Sequence, residues 1–185
     1  MDPKEQIKKI MFRYYVPKEI TSRENLIDIL NKEITVDQFD EVLNELPSFS
    51  DPDLADDVIY IGFLMRYFNP NNEKALGKLL LLNDNKSHED ITSLFQSDYN
   101  SKKENIPLLL QALHNVPEYL SPDDFKSPYI RKIIYAIGAQ PEPYNIEALE
   151  KLANETQDGQ IKELALHQID KRKELGRWES AKNPQ

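Results

Sequence analysis

Apolar residues recur every three or four positions along nearly the whole chain, and that period predicts helices. Asp2-Pro3 reads as an N-cap followed by proline at the first helical position, opening a helix to about Tyr15 with Ile7, Ile10, Met11 and Tyr14 on its apolar stripe. A second helix is expected from about Ser22 to Lys32, with Leu26, Ile29 and Leu30 inward. Thr35-Val-Asp-Gln38 is a capping box, followed at helical spacing by Phe39, Val42, Leu43 and Leu46, until Pro47 stops the run.

Asp51-Pro52 opens a fourth helix whose stripe is Leu54, Val58, Ile61, Met65 and Phe68. Ile59, Tyr60, Phe63 and Leu64 make its other faces apolar too, the pattern of a central helix covered on several sides. Further helices are expected at 72–82, 87–97, 102–115, 127–138, 145–156 and 158–174, giving about ten. No segment alternates with period two for long enough to predict a strand. The expectation is an all-α domain over 1–176 with a polar tail at 177–185, where Trp178 packs back onto the last helix hairpin.

The last four helices look like a repeat. NIPLLLQAL (105–113) aligned with NIEALEKLA (145–153) pairs Ile106 with Ile146, Leu109 with Leu149 and Ala112 with Leu152. The helices after them pair Ile130 with Ile161, Ile133 with Leu164 and Ile134 with Ala165. Each unit is two helices in roughly 35–40 residues, the period of HEAT-type repeats, and predicts antiparallel hairpins stacked as a short α-solenoid. Two unrelated amphipathic hairpins would produce a similar alignment, and Leu110 falls opposite Glu150.

Composition narrows the class. The 185 residues carry 30% charged and 39% hydrophobic side chains, which suits a folded globule. The absence of cysteine excludes disulfides and Cys-ligated zinc and fits a reducing compartment. MDPKEQIKK lacks the apolar core of a signal peptide, and the nearly uncharged run from Val58 to Met65 is far short of the ~20 residues of a membrane span, so a cytoplasmic protein without a membrane partner is expected.

Catalytic chemistry has no visible seat. There is no Gly-rich phosphate loop, no GxSxG elbow and no cysteine nucleophile, so no enzyme is expected. An EF-hand loop starting at Asp51 would need glycine where Asp56 stands and glutamate where Gly62 stands. His88, His114 and His167 are too far apart in sequence for a helical zinc pair, and His88-Glu89-Asp90 reads as solvated surface. Neither metal nor cofactor is expected.

Charge is where the sequence is unusual. The formal net charge of −9 argues against binding nucleic acid, whose phosphates require clustered Lys and Arg. Residues 35–70 hold Asp37, Asp40, Glu41, Glu45, Asp51, Asp53, Asp56 and Asp57 against Arg66 alone. Capping and the helix macrodipole account for Asp37, Asp51 and Asp53. The rest is harder to explain structurally. Asp37, Glu41 and Glu45 stand at i, i+4, i+8, and Asp53 and Asp57 repeat the spacing, at about 0.2–0.5 kcal/mol of repulsion per pair. A locally repulsive surface fits a basic partner, approached by electrostatic steering and held by aromatic anchors. Tyr60 and Tyr67 are anchor candidates, and Tyr119, Tyr129 and Tyr144 lie in or beside proline-rich connections. The candidate partner-binding set is Asp37, Glu41, Glu45, Asp53, Asp56, Asp57 and Tyr60.

The hairpins of 102–138 and 145–174, together with the acidic stretch DEVLNELPSFSDPDLADD, resemble the bacterial immunity proteins with HEAT-like helical folds found in contact-dependent inhibition and related polymorphic toxin systems. The resemblance lies in architecture and charge, with no shared motif. It implies a cytoplasmic protein that binds one cognate toxin domain, often a basic nuclease, and occludes its active site or substrate groove. The alternative is a HEAT-like adaptor that holds peptide or helical partners in a concave groove. A HEAT-like DNA glycosylase is disfavoured, because it needs a basic groove.

Overall fold

The computed structural model describes residues 2–16, 19–48, 51–97 and 100–182, with side chains to 175. Among them the chain is all-α, as expected, with ten α-helices and no strand. It divides into two compact units, residues 1–91 and 92–185.

The first unit is built from α1 (Pro3–Tyr15), α2 (Arg23–Glu33), α3 (Val36–Glu45), α4 (Pro52–Met65) and α5 (Glu73–Leu80). Their starts follow the capping signals. Asp2 accepts from Lys4 N, Ser22 from Asn25 N and Asp51 from Leu54 N, and Thr35 and Gln38 form the reciprocal box. Most of the expected stripes are buried, Ile7, Ile10 and Met11 on α1, Leu26 and Leu30 on α2, Phe39, Val42 and Leu43 on α3, whereas Tyr14 and Ile29 are only half-buried. α1 packs on α2, α3 and α4 together, and α4 touches α1, α2 and α3.

α4 is central but not fully enclosed. Its Leu54, Val58, Ile59 and Ile61 are buried, whereas Tyr60 and Phe63 are exposed. It ends on Arg66 with φ of 57°, a left-handed turn that folds the following residues back over the helix. Phe68 then sits edge-on to Phe39 and Phe63, directly over Gly62, where a methyl group would collide with its ring. Asp40 accepts from the side-chain amides of Asn69 and Asn72 and ties α3 to the turn before α5.

The loop after α5 carries a correction. His88 is fully buried, not solvated. It opens α6 (His88–Leu94), which crosses from the first unit to the second, and its Nε2 lies 2.7 Å from the Leu82 carbonyl. Burial pushes its pKa below the ordinary 6.5. Sequence reading missed this because consecutive helical residues point about 100° apart, so His88 turns inward while Asp90 is exposed, and nothing local says which of the three faces the core.

In the second unit, α7 (Asn105–His114) pairs with α8 (Asp123–Gly138), and α9 (Tyr144–Glu155) with α10 (Gly159–Lys182). α8 also packs on α9 and α10, so the two hairpins stack as the repeat predicts. Leu109 and Leu149 are both fully buried, as are Ile134 and Ala165. The repeat extends to a polar feature. Asn105 and Asn145 are each buried at the start of the first helix of a hairpin and donate to a backbone carbonyl before it, Asn100 O at 2.7 Å and Gly138 O at 3.0 Å.

Two boundaries shift. α8 starts at Asp123, so Pro128 lies inside it, and α10 runs to Lys182 past the expected end at 174. Trp178 lies outside the described side chains.

Gln140 is the polar knot of this unit. Its amide donates to the Phe95 and Ala136 carbonyls, both at 2.8 Å, and its oxygen accepts from Lys102 N and Asn105 Nδ2. Replacing Gln140 by alanine strands buried donors and acceptors, each worth ~1–3 kcal/mol when left unmade. Urea unfolding is expected to show a loss of about 2–4 kcal/mol on that basis; a loss under about 0.5 kcal/mol would contradict the assignment.

His88 makes a second prediction. The unfolded chain takes up a proton near the ordinary 6.5 while the fold resists it, so stability falls as pH drops below ~6.5, by at most ~1.4 kcal/mol per unit. Unfolding midpoints at pH 7.5 and 5.5 should differ markedly less in His88→Gln than in wild type. An equal difference would assign the pH dependence elsewhere.

Candidate functional site

The stripe that seats α1 on its neighbours also decides what its outer face shows. With Ile7, Ile10 and Met11 inward, Lys4, Lys8 and Phe12 line up at i, i+4 spacing, and Tyr15 follows one turn after Phe12. Across from them lie the end of α3 and the first turns of α4, which carry the acid. Lys4 Nζ pairs with Glu45 at 2.9 Å, and Lys8 Nζ with Asp51 at 2.7 Å. The acid of residues 35–70 is therefore partly matched by lysines more than forty residues earlier in the chain.

Beyond these pairs an open groove of about 600 Å³ separates α1 from α4. Lys8, Phe12 and Tyr15 line one side, and Asp51, Asp53, Leu54, Asp56 and Asp57 the other. Among the described residues four carboxylates thus face one lysine, and that lysine is already paired with Asp51. Phe12 is 69% exposed and Tyr15 62%, the two most exposed large apolar or aromatic side chains among the described residues.

The carboxylates differ in duty. Asp51 caps α4 and holds Lys8, and the lysine followed by the Leu54 N–H keeps its pKa below the usual range. Asp56 accepts from Lys86 N at 3.0 Å and from the Ser87 hydroxyl, anchoring the turn before α6. Asp53 is exposed and has no ion-pair partner among the described residues. Asp57 is half-buried and accepts from the Tyr15 hydroxyl at 2.7 Å. Burial raises its pKa, and Asp53, Asp56 and Asp51 push the same way against the tyrosine's hydrogen bond. Burial and Asp57 likewise raise the pKa of Tyr15.

The structure gathers only part of the expected set. Asp53, Asp56 and Asp57 share the groove. Glu45 stands beside it through Lys4, and Glu41 lies within electrostatic range of that lysine. Asp37 is exposed at the far end of α3, about 12 Å along the helix from Glu45. Tyr60 is 36% exposed but stacks on Tyr14 at 6.4 Å and does not line the groove. Tyr67 is half-buried and donates to the Ile34 carbonyl. Tyr129 is fully buried, contrary to its place near prolines, while Tyr144 is exposed.

Phe12 and Tyr15 were missed, and the signal was present. Both are aromatic, and Phe12 stands outside the stripe of Ile7, Ile10, Met11 and Tyr14, on a helix otherwise polar on that side.

A second groove, of about 470 Å³, runs between α7 and α9 and is lined by Ile106, Pro107, Leu110, Tyr144 and Ala148, with Lys103 over the Tyr144 ring at 5.3 Å. No described helix is long and apolar enough to cross a membrane, and no described group of three or more His, Asp or Glu is placed to hold a metal ion.

Because folding raises the Asp57 pKa above the ordinary 3.8, the folded state holds that proton more tightly, and stability is lost as pH rises through the raised value. At neutral pH the carboxylate is a net cost. Asp57→Asn keeps an acceptor for Tyr15 and removes the charge. Stability at pH 7 should rise by at least the ~0.2–0.5 kcal/mol of one helical like-charge pair, read from urea midpoints; a fall would show that the charge stabilises the fold.

Compared with models of protein families, with curated proteins and with solved structures, the chain matches none.

Proposed function

We propose that this protein is a cytoplasmic immunity protein, not an enzyme, which neutralises a basic toxin domain of the nuclease type by covering its active site or substrate groove. The observation that carries this reading is the α1–α4 groove, where exposed Phe12 and Tyr15 lie against Asp53 and Asp57, which have no ion-pair partner among the described residues. Such a face suits a surface rich in Lys and Arg. The carboxylates would stand in for substrate phosphates and steer association, and the rings would supply the tight contact. That burial disfavours the charged form of Asp57 fits a carboxylate kept for binding.

The apolar α7–α9 groove favours a second reading, an adaptor that holds an amphipathic helix on its second unit. The two readings place the partner on different units and differ in number of partners and in salt dependence.

Capture from a lysate of the source cell, at low and high salt, separates them. The variants are Glu41→Lys with Asp53→Lys, both exposed and without an ion-pair partner among the described residues, and Leu110→Asp in the other groove. The immunity reading expects one strongly enriched basic domain, held on the order of tenfold more weakly by the lysine variant and indifferent to Leu110→Asp. That domain should arrest growth when expressed alone and be silenced by wild type. Several moderate partners, lost with Leu110→Asp and indifferent to the lysine variant, would establish the adaptor instead.

A further inference from the structure

We infer that the α1–α4 groove is an arginine cleft, in which a partner's guanidinium lies against the Phe12 and Tyr15 rings and pairs with Asp53 and Asp57. This rests on the reading that the groove meets a basic protein surface, and it names the group that enters.

Acidic side chains alone attract any cation, so selectivity has to come from the walls. One wall is aromatic, and its rings are open to solvent because the inward stripe of α1 lies on the other side of the helix. The Tyr15 ring is held in place by its hydroxyl, which is donated to Asp57 Oδ1. That bond leaves the second carboxylate oxygen of Asp57 without a hydrogen-bond partner among the described residues. Asp53 stands one helical turn before Asp57 on the same face of α4, so the two carboxylates flank one another. Leu54 lines the groove beside them and is almost fully buried.

An ammonium is a strongly hydrated point charge and would lose that hydration against two rings and a leucine. A guanidinium is planar and weakly hydrated, stacks on aromatic faces, and offers donors in a fork that suits carboxylates. Lys8, the cation that lines the groove among the described residues, does not compete, because Asp51 holds it at 2.7 Å. The groove's open volume of about 600 Å³ has room for a side chain of this size.

The probes are a hexa-arginine and a hexa-lysine peptide, titrated into the full-length ¹⁵N-labelled protein and followed by amide shifts. The arginine peptide is expected to shift amides of residues 8–16 and 51–57 and to bind about fivefold more tightly than the lysine peptide. Phe12→Ala should bring arginine affinity down to the lysine level, and Phe12→Trp should restore the preference. Asp53→Asn should weaken both peptides alike. Phe12 and Asp53 are exposed, so these variants leave the core intact. Equal binding of the two peptides, a preference that survives Phe12→Ala, or shifts confined to other residues would overturn the inference. Arginine preference without capture of any toxin would leave the cleft standing and sink the immunity reading; a captured toxin without arginine preference would do the reverse.

Discussion

The seating of α1 on its neighbours is the constraint on which the first unit depends. Ile7, Ile10 and Met11 are buried to the last few square ångströms, and a helix that commits one stripe to the core has no freedom over the other. That single rotation delivers Lys4 to Glu45, Lys8 to Asp51, and the rings of Phe12 and Tyr15 to the mouth of the groove. A shift of one residue along the period would bury Lys8 and Phe12 and present Ile7 and Ile10. The acidic surface is therefore shaped as much by the apolar residues of α1 as by the carboxylates of α3 and α4.

Electrostatics then divides the acid into two populations. One is structural: Asp40 holds two asparagine amides, Asp51 caps a helix and grips a lysine, and Asp56 anchors the turn before α6. The other has no ion-pair partner among the described residues, although Asp37 and Asp53 stand in helix first turns and Asp57 accepts from Tyr15. Asp37, Glu41 and Asp53 are exposed, and Asp57 is half-buried under a tyrosine among like charges. Asp53 and Asp57, without ion-pair partners among the described residues and beside exposed aromatic rings, suit the proposed binding face.

Much of the fold could be read from the chain because its signals are local. Caps at Asp2, Ser22, Thr35 and Asp51 act over three residues, and the apolar stripes over two turns. The hairpin repeat was visible too, and the paired Asn105 and Asn145 strengthen it with a shared polar role that apolar alignment did not weigh. What could not be read was set by tertiary packing. The lysines of α1 reach acids more than forty residues away, and a charge count over 35–70 cannot see them. His88 is buried by a loop whose path depends on Asp56 in another helix. Pro128 sits inside α8 because that helix starts earlier, after Pro122, and tertiary contacts outweigh one lost hydrogen bond. Of the expected site, Asp53, Asp56 and Asp57 share a groove, while Asp37 and Tyr60 lie outside it.

Hydrogen–deuterium exchange of the protein, alone and bound to the partner it captures, tests the central claim most directly. Binding at the aromatic and acidic groove predicts slowed exchange over residues 8–16 and 51–60, with α7 and α9 unchanged. Protection confined to residues 103–114 and 144–156 would contradict it and move the functional surface to the second unit.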